Sequence, residues 1–313
     1  METVLLTGGT GLIGRHLARK LAETGYNVII LSTGTGVSQE FPVYHWDPAK
    51  GEIDREAVST ADYIVHLAGA GLADKRWTAM RKKLLISSRV AGGELLFKAV
   101  SEAGSNIKAF ISISGTNYYG SVTSGRTFIE TDPPADDFLG EVCRLWELIA
   151  ARFESEGKRS VILRSGVVLA SHGGALGRMI LPVKSGAGAP IGRGDQYLSW
   201  IHVDDLCRIF IKAIGDPAMR GAYNAVAPGQ VTNREFMRTL ANVMKRPVIL
   251  PAIPSGLMKL LYGEMSVVLL TGSRVLSDKI IASGYKFRHP ELKAALEDLL
   301  IIQYGGTGSG KGR

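Results

Sequence analysis

The chain has 313 residues, 45% hydrophobic and 21% charged, with a net charge of +8. That is long enough for one large α/β unit with a smaller appended domain, and the balance is that of a globular protein rather than a disordered or fibrous one. Two cysteines without metal-ligand spacing, scattered basic residues and no long apolar run argue against a disulfide framework, a zinc site, a nucleic-acid module and a membrane span.

The first 165 residues alternate short apolar runs with amphipathic segments, which predicts a parallel sheet flanked by helices. Strands are expected at Thr3–Thr7, Asn27–Ser32, Val43–Trp46, Tyr63–Leu67, Ala109–Ser114 and Ser160–Val168. Several are apolar at nearly every position, as strands buried on both faces are. Helices are expected at Gly14–Thr24, Trp77–Glu102 and Asp137–Glu156, the last preceded by the capping-type Asp136. Beyond Leu169, a glycine-rich stretch from Ser171 to Gly194 predicts loops around a short helix, suited to the wall of a substrate site. A strand at Ser199–Val203, a helix at Asp204–Ile214 and a strand at Ala222–Val226 follow. Helical patterns then cover Asn233–Met244, Ser255–Leu270 and Pro290–Ile301. The apolar stretch from Ile253 to Leu270 is broken by Pro254, Lys259 and Glu264, so it is not expected to span a membrane. The Gly/Ser/Lys tail Gly305–Arg313 is set aside as disordered. The domain reading is 1–168 with about 199–228 for a nucleotide-binding domain, and 169–198 with 229–302 for a smaller substrate domain.

The opening V-L-L-T-G-G-T-G-L-I-G-R-H-L-A runs from a strand through Gly8, Gly9, Gly11 and Gly14 into a helix. Such a turn needs positive φ, close approach of backbone to a pyrophosphate and tight helix–strand packing, all of which glycine permits. Free amides and the dipole at the helix start then attract phosphate. The strand–turn–helix context makes this a dinucleotide site. The second strand ends Ile30-Leu31-Ser32-Thr33, with no acid before Glu40 to grip ribose hydroxyls. Ser32, Thr33 and Arg15 suit a 2′-phosphate instead, so NADP(H) is expected, with NAD(H) as the alternative.

T-G-G-T-G-L-I-G, H-L-A-G-A at 66–70, S-I-S-G-T-N-Y-Y-G at 112–120, L-R-S-G-V-V-L at 163–169 and W-I-H-V-D-D-L at 200–206 occur in this order. Together they resemble the extended short-chain dehydrogenase/reductases, the NAD-dependent epimerase/dehydratase group. Trp46-Asp47-Pro48 and the segment 269–292 resemble more narrowly its atypical "epimerase family protein" branch, family 39U, with a C-terminal domain of unknown function. The resemblance covers about 300 residues and implies a Rossmann-type doubly wound parallel sheet with a smaller C-terminal α/β substrate domain. It implies that Gly8, Gly11, Leu12, Ile13 and Gly14 hold the coenzyme's pyrophosphate, and Thr10 and Arg15 are counted as cofactor-binding beside them. Ser32 and Thr33 are implied at the adenosine ribose, Asp47 near the adenine, and Leu67, Ala68 and Gly69 at the nicotinamide ribose. Arg89, which takes a place where such enzymes often have Asn, is counted with these coenzyme contacts.

The catalytic pattern departs from the superfamily, which uses Tyr-x-x-x-Lys with Ser. None of the ten tyrosines has a lysine four residues on, and in 140–147 the i and i+4 places hold Cys143 and Glu147. Ser114, Tyr118 and Cys143 remain as acid–base candidates, and Glu147 is expected to pair with Arg144 or Arg152 along its helix. Trp77, Arg178, Lys184, Arg193, Trp200 and His202 are candidates for the substrate wall, His202 with a capping role. The expectation is an NADP(H)-dependent oxidoreductase or nucleotide-sugar-epimerase-like enzyme acting on a small, phosphate-bearing molecule. It is expected in the cytoplasm, without nucleic-acid, membrane or metal partners, and a homodimer is left open. The alternative is a non-catalytic NADP(H)-binding regulator, related to cell division.

Overall fold

The computed structural model describes residues 1–34, 40–247 and 250–304; the tail set aside above lies outside them. The chain divides into two compact units, one made of residues 1–120, 133–164 and 207–223, the other of 121–132, 165–206 and 224 onward.

The first unit is organised by an eight-stranded sheet. Its strands are β1 (Thr3–Thr7), β2 (Asn27–Ser32), β3 (Val43–Asp47), β4 (Glu52–Ile53), β5 (Tyr63–His66), β6 (Ala109–Gly115), β7 (Arg159–Ser165) and β8 (Gly221–Ala225). The spatial order is β8-β7-β6-β5-β1-β2-β3-β4. β1 pairs in parallel with both β2 and β5, β2 with β3, and β5 with β6; β4 turns back antiparallel on β3. This is the doubly wound arrangement, and the strand order reverses between β1 and β5, where open α/β sheets bind ligands at the carboxyl ends.

The helices that flank these strands are α1 (Leu12–Glu23), α2 (Arg55–Ser59), α3 (Ala79–Glu102) and α4 (Phe138–Ser155). Alternate strand residues Leu5, Ile29, Leu31, Ile64, Phe110 and Ile162 meet Leu96, Val100, Ile149 and Phe153 of α3 and α4 in one buried cluster. Phe110 and Phe153 stack at 4.1 Å, so Phe153→Ala would cost about 3–5 kcal/mol in lost contact and cavity. α4 begins one residue later than its capping signal suggested. Asp137, not Asp136, accepts the Gly140 amide at 2.8 Å.

The predicted single strand Ser160–Val168 is broken. β7 ends at Ser165, and Val167–Leu169 pairs instead with Trp200–His202 in the second unit. The break falls at Gly166, where an added Cβ would stand 2.5 Å from the Ser199 carbonyl oxygen, so only glycine permits the crossing. The second unit carries helices α5 (Gly174–Lys184), α7 (Asn233–Val243), α8 (Ser255–Tyr262) and the last helix Leu292–Tyr304; α6 (Val203–Gly215) starts in it. Leu176, Ile180, Trp200, Phe236, Leu240, Leu296 and Leu299 form its core. The predicted helix Ser255–Leu270 is also divided, because Gly263 (φ +59°) ends α8 and a 3-10 turn intervenes before Val267–Leu270. Among the described residues no helix is long and apolar enough to cross a membrane.

Candidate functional site

The glycine turn follows from packing. Gly8 takes φ +70°, a conformation that strains other residues, and its carbonyl accepts the Gly11 amide at 3.0 Å. An added Cβ on Gly14 would lie 2.2 Å from the Gly8 oxygen and 2.6 Å from Gly9 Cα, so α1 presses directly on the turn. α1 starts after Gly11 with no capping side chain and no acid in its first turn. The amides of Leu12, Ile13 and Gly14 thus stand at a helix start that no side chain of the described residues caps, the electrostatic setting for a phosphate. Thr10 and Arg15 are exposed beside them.

The neighbouring strand ends complete this edge. Ser32 closes β2 and its hydroxyl accepts the Gly34 amide at 3.1 Å; Thr33 beside it is exposed. Asp47 closes β3, accepts the Ala49 amide at 3.0 Å and faces Lys50 at 3.2 Å. The Lys50 ammonium holds its carboxyl below the usual range. At β5, the Leu67 and Ala68 amides both donate to Thr7 Oγ1 at 3.2 Å. With its lone pairs so used, the Thr7 hydroxyl donates its proton to His66 Nδ1 at 2.8 Å. Nε2 therefore carries the ring proton, and burial pushes His66 down to about 4. Thr7 has no place among the expected site residues. A threonine just before a glycine turn reads as an ordinary strand end. An added Cβ on Gly8 would touch Leu67 and Ala68 backbone at 3.0 Å, so the glycine turn and the end of β5 lie against each other.

The loop after β5 is held by α3. Ser88 Oγ accepts the Ala70 amide at 3.1 Å, Arg81 Nη2 donates to the Gly71 carbonyl at 2.6 Å, and the Arg89 side chain crosses Gly69, where an added Cβ would meet it at 3.1 Å. Trp77 Nε1 donates to the Leu72 carbonyl at 2.9 Å and its ring packs edge-on to Phe138, so it anchors this loop.

At the end of β6 stand Ser114 and a 3-10 turn, Thr116–Tyr119. Ser114 is buried beside the Cys143 thiol, and burial pushes that thiol up to about 11, so it stays protonated at neutral pH. Glu147 pairs with neither helix neighbour. Arg144 bonds Glu141, Arg152 bonds Glu94, and Glu147 receives two bonds from Arg164 of β7, at 2.9 and 2.8 Å. Arg164 Nη1 also donates to Tyr119 Oη at 2.9 Å, and its guanidinium lies 3.5 Å from the Tyr118 ring centre. Burial would lower Arg164, but the Glu147 carboxylate outweighs it and holds the guanidinium charged. Tyr118 is raised above the ordinary phenol value, chiefly by burial, despite Arg164. It is a protonated phenol at neutral pH. Arg164 was the missed residue here; its signal was a charge directly after the apolar run Val161–Leu163 in a strand buried along its whole length.

In the second unit Arg178 and Lys184 are exposed on α5. Arg193 pairs with Asp195 at 3.0 Å and lines a cavity of about 780 Å³ together with Lys259, Glu264, Val267 and Leu270. Trp200 is fully buried and donates Nε1–H to the Gly229 carbonyl at 2.7 Å, which makes it core. His202 Nδ1 accepts the Asp204 amide at 3.0 Å, a cap on the start of α6. Among the described residues, His202, His289 and Asp298 have the spacing of metal ligands. That amide bond, however, places the His202 proton on Nε2, the atom that faces Asp298 at 3.3 Å, which opposes a cation there.

The epimerase family protein SDR39U1 of Homo sapiens is 35% identical over 301 residues, spanning 95% of this chain and 99% of its own. An epimerase family protein of Staphylococcus aureus is also 35% identical, over 96% and 99%. The crystal structure of human SDR39U1 with NADPH superposes with a TM-score of 0.86 at 34% identity, covering 95% of this chain and 98% of that one. UDP-glucose 4-epimerase of Thermus thermophilus, in complex with NAD, has a TM-score of 0.74 at 22% identity, covering 97% and 99%, and is a likeness of fold. Residues 253–299 match a domain of unknown function, and residues 4–226 match the NAD dependent epimerase/dehydratase family. The glycine turn, the doubly wound sheet and a match over more than two thirds of the sequence agree: the chain belongs to the NAD dependent epimerase/dehydratase family.

Proposed function

We propose that the protein is an NADP(H)-binding enzyme of the epimerase/oxidoreductase type with an atypical proton donor. The observation that carries this is the uncapped start of α1 behind Gly8–Gly14, beside a β2 that ends in Ser32 and Thr33 with no carboxylate. Amides of Leu12, Ile13 and Gly14 would take the pyrophosphate, Ser32, Thr33 and Arg15 a 2′-phosphate, and Leu67–Gly69 the nicotinamide ribose. The human relative, crystallised with NADPH, supports the same choice of coenzyme. Residues 1–168 with 199–228 would serve the coenzyme, and 169–198 with 229–302 the substrate, a phosphate-bearing small molecule facing Arg193 and Lys259.

The coenzyme supplies or takes hydride when bound. Tyr118 would hold the proton that passes to or from the substrate oxygen, and Ser114 would orient that oxygen. The Arg164 guanidinium packs on the Tyr118 ring and burial keeps its phenol neutral, which makes it an acid for carbonyl reduction rather than a base at rest. The Cys143 thiol, protonated and next to Ser114, would set the hydroxyl's position. Calorimetric titration with NADPH and NADH tests the coenzyme: micromolar NADPH with at least about tenfold weaker NADH is expected from the loss of a charge-assisted contact. Absence of binding by either overturns the reading. Tyr118→Phe should lower turnover on a responsive carbonyl substrate by about 100-fold or more with the fold intact.

A second reading is a non-catalytic regulator that senses NADP(H). It is favoured by Glu147 standing in the superfamily's lysine place with its charge consumed by Arg164. Tight NADPH binding with no hydride transfer across carbonyl and alcohol panels would select it.

A further inference from the structure

Three buried arginines in the first unit are treated very differently. Arg159, 7% exposed, gives its guanidinium to the carbonyls of Ala213, Ile214, Asp216 and Met219. Arg164, 3% exposed, is matched by the Glu147 carboxylate and Tyr119. Arg89 is equally deep, at 6%, but has one carbonyl, Leu85 O at 2.8 Å, and the face of Trp146 at 4.7 Å. Its Nε–H has no acceptor. A neutral carbonyl and a π-face do not balance a guanidinium removed from water, and such a charge is retained at a cost unless something anionic meets it.

The surroundings share this one-sided chemistry. One turn-pair away on the same face of α3, Arg81 bonds the Gly71 carbonyl and its Nε–H also lacks an acceptor. Trp146 Nε1, a donor with no acceptor capacity, is buried without a partner. Ser114 Oγ has no oxygen or nitrogen partner and faces the Cys143 thiol, a weak acceptor. β5 and β6 run in parallel with His66 opposite Ser112, which carries Ser114 toward the end of the sheet that Arg89 crosses at Gly69. The loop's acid, Asp74, lies against Gly71 and bonds neither Nε. The buried N–H groups of Arg81, Arg89 and Trp146 that lack an acceptor are complementary to an oxygen that only accepts. Arg89 lies across Gly69, at the carboxyl end of β5 and next to the glycine turn through Leu67 and Ala68.

We propose that Arg89, flanked by Ser114 and Trp146, is a recognition site for a carboxylate carried by the substrate. The proposal deepens the reading above, since it assigns the substrate an acid group near the carbon that exchanges hydride. The coenzyme's own anionic oxygens share the chemistry, but its phosphates already have the amides at the start of α1.

The test uses the full chain with acetate as probe and acetamide as its uncharged isostere, at constant ionic strength. The Arg side-chain Nε–H resonances and tryptophan fluorescence are followed with and without saturating NADPH. Expected is saturable millimolar acetate binding that shifts one Nε–H signal and persists with NADPH bound, at least tenfold weaker in Arg89→Met and absent with acetamide. Arg89→Met, which removes a charge lacking an anionic partner, should keep or raise Tm. Acetate displaced by NADPH assigns the donors to the coenzyme and overturns the proposal. Equal acetate binding by wild type and Arg89→Met, or none by either, also overturns it, as does a Tm loss of several degrees showing Arg89 to be a packing residue. NADPH titration of the wild type fails separately if the coenzyme reading is wrong, and the acetate arm without coenzyme still stands.

Discussion

The glycine turn and the end of β6 lie in one unit, at the carboxyl edge of one sheet, and are built in opposite ways. The turn is made of backbone: positive φ at Gly8, α1 pressed on Gly8 at Gly14, and amides that no side chain caps. The end of β6 is made of side chains that hold one another: Arg164 grips Glu147, spans Tyr118 and bonds Tyr119, while Ser114 faces Cys143. A backbone site depends on a few small residues and tolerates change elsewhere. A side-chain site depends on partners distant in sequence, so its chemistry can drift while the fold persists.

The largest test strikes the backbone site. Gly14→Ala sets a Cβ against the Gly8 oxygen, and NADPH affinity should fall by more than about 100-fold in calorimetry because the turn must open. Retained affinity would break the contrast. Next, Arg164→Met leaves Glu147 buried and unpaired, and urea unfolding should show a loss of about 3–5 kcal/mol. Arg164→Met with Glu147→Met should recover most of that loss. Coenzyme affinity should change little in either variant.

A third test uses acid, at the junction of the two sites. His66 is held near 4 by burial, while an unfolded imidazole takes its proton near 6.5. Between those values the unfolded chain binds more protons, so stability drops as pH falls through that window, by up to about 3 kcal/mol from this group. His202, lowered to about 4 first by burial and then by His289, adds in the same direction. His66→Asn, whose amide oxygen can accept from Thr7, should flatten the Tm profile from pH 6.5 to 4; an unchanged profile would assign the loss elsewhere. The smallest effect belongs to the exposed Asp47–Lys50 pair. Lys50→Met should leave Tm unchanged within error, since exposed pairs contribute little.

The same contrast explains what could be read from the sequence. β1, β2 and β5 are apolar at nearly every position, and Gly8, Gly11 and Gly14 stand at fixed spacing, so local pattern alone identifies the parallel sheet and its phosphate turn. Gly166 and Gly263 divide segments whose periodicity is continuous, because their roles depend on what lies opposite: the Ser199 carbonyl in one case, a left-handed turn in the other. Glu147 has Arg144 three residues before it and Arg152 five after it on the same helix, which made these two the partners expected from local sequence. Its actual partner is on β7, brought close by the packing of α4 beside the sheet. Thr7 is likewise invisible until β5 places two amides over its hydroxyl.

One margin of the sheet ends in β4, two residues long, antiparallel to its neighbour β3 and bearing the exposed Glu52. A foreign strand that tried to extend the ladder here would find at most two residues of template and a carboxylate in the way. Short, charged borders of this kind discourage amyloid-like stacking. On this side the border strand itself shields the hydrophobic strands at the centre from self-templating.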